Sequence, residues 1–187
     1  MLNNEYEVFK ALNTELKAND IMLEIICVGG FVLSHYGLKQ TLDIDGFYKR
    51  TRETDEIIER VGDMFGINTD EEPWLNNSVQ SMNELPDRSI CDILYKFSNL
   101  TVLMPPLEYI AGMKLQSGRE KDIDDVALII KKEHHDDPVK FINQLKEKYD
   151  FDDIDISLIL TAYGKAYGFE WLEEYYQKHE SELINLM

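Results

Sequence analysis

At 187 residues and a formal charge of −17, the chain has room for one ordinary domain, or one domain with a helical appendage. Its 44% apolar and 11% aromatic content supports a sizeable core and excludes a disordered chain. A pI near 4.5 excludes broad nonspecific binding to nucleic acid, which needs a basic surface. No apolar run approaches the ~20 residues of a bilayer span. The opening MLNNEYEVFK has no apolar segment with a cleavage site, so a cytoplasmic protein with no membrane partner is expected. Cys27 and Cys91 both lie in apolar stretches and read as reduced, buried thiols.

Along the chain, Tyr6, Phe9, Leu12 and Leu16 give residues 5–17 the spacing of an amphipathic helix. Residues 24–28 read as a buried strand ended by Gly29-Gly30, followed by a short helix over 31–36 that Gly37 stops. Residues 41–48 alternate, with Leu42 and Ile44 on one strand face and Asp43, Asp45 and Phe47 on the other. A helix over 54–65 faces Ile57, Ile58, Val61 and Phe65 inward, and 66–87 reads as irregular with room for one strand. Residues 89–96 and 101–104 form a hairpin candidate, and Pro105-Pro106 ends its second strand. Helices follow over 107–116, 121–132, 138–149, 154–168 and 170–185. The order predicts an α+β fold: a mixed α/β core over 1–105, then a helical C-terminal subdomain over 106–187 packed on it.

The stretch from Cys27 to Phe47 carries the chemistry. Two carboxylates at i and i+2, Asp43 and Asp45, share one strand face roughly 6–7 Å apart. Such a pair suits Mg²⁺, which takes carboxylates together with phosphate oxygens and water. Gly29-Gly30 lets backbone approach a phosphate closely. Metal ions opposite a phosphate cradle are the parts of in-line phosphoryl or nucleotidyl transfer. The plainer reading is a pair of aspartates that face water at a strand end. Residues Lys49-Arg50-Thr51-Arg52 form the one dense cationic patch, either a guide for a polyanionic acceptor or a solvated loop. No P-loop, calcium loop or zinc spacing is present. Trp171, Tyr175 and Tyr176 read as a packing stripe or dimer surface.

Gly29-Gly30, Tyr36-Gly37, Thr41 and Asp43-Ile44-Asp45 together resemble the opening motif of the nucleotidyltransferase superfamily related to DNA polymerase β. The segment is especially similar to bacterial AbiEii-like and DUF6036-type proteins. A second block, residues 105–129, resembles the family's downstream helix pair through Lys114, Arg119, Lys121, Asp122 and Asp125. Lys39 stands where the family often carries an arginine, Gly30 where members often carry serine, and Gly46 where leucine is usual.

The resemblance implies a nucleotidyltransferase fold, a small mixed sheet flanked by helices. It also implies metal-dependent transfer of an NMP from an NTP to an acceptor hydroxyl or phosphate, with Mg²⁺ or Mn²⁺ as cofactor. Asp43, Asp45 and a third carboxylate, Asp92, would hold the metal, and Lys114 would offset triphosphate charge. Gly29, Gly30, Lys39, Thr41, Arg119 and Asp122 would bind the nucleotide. For Asp122, helix capping and ion pairing compete with that role; Asp125 is open to capping, to a pair with Lys121, or to orienting Lys114 or Arg119; and for Asp92 an exposed sheet edge is the other reading. The implied partners are the NTP, an acceptor that is RNA, protein or a small molecule, and a second copy or a cognate protein. A toxin–antitoxin or phage-defence setting belongs to the same resemblance. The alternative is a catalytically silent binding module on this fold, an antitoxin-like partner or nucleotide sensor.

Overall fold

The computed structural model describes residues 5–41, 43–69, 73–81 and 84–186; Leu42, read with Ile44 on one strand face, lies outside them. The chain divides into two compact units, Met1–Pro106 and Leu107–Met187.

The first unit runs α1 (Glu5–Ala18), β1 (Leu23–Val28), α2 (Gly30–His35), β2 (Ile44–Phe47), α3 (Arg52–Phe65), β3 (Leu75–Asn76), β4 (Asp92–Lys96) and β5 (Leu100–Met104). The strands form one mixed sheet in the order β3-β2-β1-β5-β4. β1 pairs antiparallel to β2 and parallel to β5, β2 parallel to β3, and β4 antiparallel to β5. With helices against this sheet and only helices after it, the fold is α+β of the nucleotidyltransferase kind. β1 is central because five of its six residues are buried and only Glu24 is exposed, a run that suits a strand covered on both faces. Phe9 of α1 anchors the aromatic core, its ring centroid 5.7 Å from Trp74, 6.1 Å from Phe31 and 5.6 Å from Tyr95. The Trp74 indole N–H donates to the Ile58 carbonyl at 2.8 Å, so this buried donor is satisfied. Cys27 is buried and Cys91 half-buried; both are free, and burial pushes both thiols up, Cys91 to about 11.

Two strand starts differ by three residues from the sequence reading. β2 begins at Ile44 rather than at 41, because the Thr41 hydroxyl bonds locally to Asp43 in competition with the ladder. β4 begins at Asp92 rather than at 89, because Arg88–Ile90 forms a 3₁₀ turn capped by Asp87, whose carboxylate accepts from the Ser89 N–H at 2.7 Å. α3 opens on a Thr51/Thr54 capping box and ends at Gly66 in the left-handed conformation, φ 63°. Phe65, the last residue before this stop, is exposed, against the inward placement its spacing predicts.

The second unit contains α4 (Leu107–Ser117), α5 (Glu120–Lys132), α6 (Pro138–Tyr149), α7 (Ile156–Tyr167) and α8 (Phe169–Leu186). Asp137 and Asp155 cap α6 and α7, so part of the acidic charge serves helix starts. Gly112 lets α4 meet the Phe151 ring, where a Cβ would lie 2.2 Å from its edge. Trp171 stacks on Tyr163 and Tyr175, at 6.1 and 5.4 Å, which makes the aromatic run of α8 a packing stripe. Among the described residues, no helix is long and apolar enough to cross a membrane.

Candidate functional site

The end of β1 and the start of β2 build the centre. Gly29 follows Val28 at φ 65° and ψ −139°, a conformation that favours glycine. Register places Val28 opposite Asp45, so the Asp45 side chain lies over the turn. A Cβ on Gly29 would stand 2.8 Å from Asp45 Oδ2, and one on Gly30 would stand 3.2 Å from Thr41 Oγ1. Glycine at both positions therefore brings backbone directly against these two side chains. The Thr41 hydroxyl donates to Asp43 Oδ1 at 2.8 Å. Asp43 is exposed just before β2, and Asp45 is half-buried within it. Gly29, Gly30, Thr41, Asp43 and Asp45 thus converge on one turn.

Asp92 is not brought there. It opens β4, the edge strand three steps from β2 in the sheet order, which is about 14 Å at the usual strand spacing. It pairs with Met104 on the face of Ile25 and Cys27, whereas Asp45 pairs with Val28 on the opposite face. Asp92 is also exposed, so the apolar run around it marks a sheet edge rather than a buried carboxylate. Among the described residues, no group of three or more His, Cys, Asp or Glu is gathered as a metal shell.

Arg50 and Arg52 turn back onto α3, bonding Asp55 at 2.7 Å and Glu56 at 2.8 Å. This local pairing favours the solvated-loop reading of the cationic patch. Lys39 is exposed in the segment between α2 and β2.

In the second unit Lys114 is buried with Asp122 and Asp125, its ammonium donating to them at 2.8 and 2.6 Å. Ser117 and Arg119 also donate to Asp122. Of the roles open to Asp125, the structure selects the pair with Lys114 across the α4–α5 turn. Ser117 was legible only as a helix break, because its partner lies on the next helix. Burial pushes the Asp122 carboxyl upward, but the bonds from Lys114, Ser117 and Arg119 outweigh it and hold the group at about 2, against an ordinary 3.8. A depressed carboxyl stabilises the fold fully above its unfolded value and loses that contribution as pH falls through the folded one. Between pH 5 and 2, wild type should therefore lose about 2 kcal/mol of its advantage over Asp122→Asn. Urea unfolding of both proteins across that range measures it; a gap that does not change with pH would contradict the cluster.

One finding decides the family. The family described as "nucleotidyltransferase of unknown function (DUF6036)" matches residues 6–136, more than half of the chain. The chain belongs to this family. No curated protein and no solved structure matches it. The DUF6036 match spans the glycine turn, the Asp43/Asp45 pair and the Lys114–Asp122–Asp125 cluster.

Proposed function

We propose that this DUF6036 protein is a metal-dependent nucleotidyltransferase that moves an NMP from an NTP to an acceptor hydroxyl or phosphate. The observation that carries the reading is the Asp45 carboxylate lying against Gly29 while Thr41 ties Asp43 to the Gly30 side of the same turn. The donor set suits Mg²⁺ or Mn²⁺, because Mg²⁺ is held by one or two carboxylates with substrate phosphates and water, and a closed shell of three is not required. When bound, the cation would neutralise phosphate charge at the reacting centre. Asp43 and Asp45 would hold it, and the side-chain-free turn would admit the triphosphate beside them. Thr41, by donating to Asp43 Oδ1, orients that carboxylate. Lys39 is the exposed cation assigned to the triphosphate. Lys114, whose charge already meets two carboxylates, has a structural part in this reading. Attack by the acceptor oxygen forms a bond to the α-phosphorus as the bond to pyrophosphate breaks. A cytoplasmic toxin–antitoxin or phage-defence setting, with a cognate protein or a second copy as partner, rests on the AbiEii-like resemblance alone.

The second reading, a silent nucleotide-binding module, is favoured by one observation, the placement of Asp92 away from Asp45. Incubation with each α-labelled NTP, Mg²⁺ or Mn²⁺, and fractions of total RNA, protein and small molecules separates the two. Transfer predicts label in one fraction with wild type and none with the Asp43→Asn, Asp45→Asn double variant. Label in no fraction with any NTP contradicts transfer.

A further inference from the structure

We propose that Thr41 sets the cation preference of the Asp43/Asp45 centre, disfavouring Ca²⁺ by holding Asp43 to a single oxygen for the metal. This inference rests on the nucleotidyl-transfer reading and names a specificity-determining residue for the same centre. Mg²⁺ demands a near-ideal octahedron with ligands at about 2.1 Å. Neighbouring corners of that octahedron stand about 3 Å apart, too far for the two oxygens of one carboxylate to fill both. Ca²⁺ takes about six to eight ligands at about 2.4 Å and accepts a carboxylate through both oxygens. A centre with two protein carboxylates therefore separates these ions by how many oxygens each carboxylate can present.

In Asp43 the two oxygens are not equivalent. The Thr41 hydroxyl donates to Oδ1 at 2.8 Å, and the Asp43 backbone carbonyl is its more distant acceptor at 3.3 Å. A hydroxyl has one proton, so the shorter bond, to a charged oxygen, takes it. That bond draws charge from Oδ1 and fixes the carboxylate plane, which leaves Oδ2 as the better donor to a cation. An ion held across both oxygens must compete with the Thr41 proton, whereas an ion on Oδ2 alone does not. Asp45 is confined as well, because its Oδ2 lies where a Cβ on Gly29 would approach to 2.8 Å.

Gly30 is the separate sign that the Thr41 hydroxyl is deliberately placed. Gly29 has φ 65°, but the φ of Gly30 lies outside the left-handed region, so backbone conformation does not require glycine there. Gly30 provides room instead. A Cβ on it would stand 3.2 Å from Thr41 Oγ1 and 3.4 Å from Thr41 Cβ. The start of α2 and the Asp43 carboxylate thus hold the hydroxyl between them.

Competition against Mn²⁺ tests this on the full chain, with the metal alone as probe and its free fraction read by electron paramagnetic resonance. Binding to the Asp43→Asn, Asp45→Asn variant is subtracted as the background of an acidic surface. Mg²⁺ and Ca²⁺ each displace the bound Mn²⁺, and the ratio of their apparent dissociation constants is compared between variants. Thr41→Val keeps the bulk and removes the proton, so the ratio should move roughly fivefold toward Ca²⁺, the worth of one hydrogen bond. Thr41→Ala should move it the same way, and Thr41→Ser, which keeps the hydroxyl, should hold the wild-type ratio. Gly30→Ala crowds Thr41 and should also shift the ratio toward Ca²⁺, yet add nothing in a Thr41→Ala background. A wild-type ratio in both Thr41→Val and Thr41→Ala overturns this inference and leaves the transfer reading intact. A shift in Thr41→Ser as large as in Thr41→Val assigns the effect to shape rather than to the hydroxyl and overturns it too. A wild type that binds no more Mn²⁺ than the double variant also overturns the inference, and stabilisation by Mg²⁺–NTP then decides the transfer reading separately.

Discussion

Lys114→Met should lower the unfolding free energy by about 3–5 kcal/mol, the usual cost of removing one partner from a buried ion pair. Lys114, Asp122 and Asp125 are 8%, 1% and 3% exposed. Methionine keeps the length and bulk of the side chain, so loss of packing contributes little. What remains is two buried carboxylates close together, with Arg119 and Ser117 bonded to Asp122. The two acids must then carry an unpaired charge or take up protons, and either outcome costs stability. Neutralising them as well, in Lys114→Met with Asp122→Asn and Asp125→Asn, should recover most of the loss. Urea unfolding of the three proteins makes the comparison. A loss below about 1 kcal/mol in Lys114→Met would mean the pairs are solvated rather than buried.

Asp45→Asn should reduce nucleotidyl transfer by about 10³-fold, the rate equivalent of roughly 4 kcal/mol of lost charge stabilisation at the reacting phosphate. Asparagine matches aspartate in shape, so the close approach to Gly29 and the β1–β2 register survive. The protein should therefore stay folded while the rate falls. Asp92→Asn is the internal comparison. It stands exposed on the far edge strand and should change the rate less than about twofold, in keeping with a surface substitution. Equal losses in both variants would return β4 to the centre.

Most of the fold was legible because its signals are local. The 3–4 spacing of Phe9, Leu12 and Leu16 marks α1, and all three are buried. Gly29-Gly30 and Pro105-Pro106 end β1 and β5 within a residue or two of where the sequence places those stops. The elements misjudged were those decided by partners distant in sequence. Asp92 lies among apolar residues, yet sheet order makes its strand an edge, and one sequence does not reveal that order. The Lys114 cluster was visible through the family resemblance, and ion pairing was among the readings open to Asp122 and Asp125, but the partners were not fixed. Spacing alone left Asp125 open to Lys121, Arg119 or Lys114, and the turn between α4 and α5 selects Lys114.

The central claim is that Asp43 and Asp45 form a cation and nucleotide site rather than a surface pair. Melting curves of wild type and the Asp43→Asn, Asp45→Asn variant, in EDTA and with Mg²⁺ plus each NTP, test it most directly. Neighbouring carboxylates repel when no cation lies between them, so the double variant should melt no lower than wild type in EDTA. Wild type should gain stability from Mg²⁺ with at least one NTP, rising with ligand concentration, because a ligand stabilises only the state it binds. The variant should lose that gain. A wild type that gains nothing from Mg²⁺ with any NTP would contradict the account, as would a variant that melts well below wild type in EDTA.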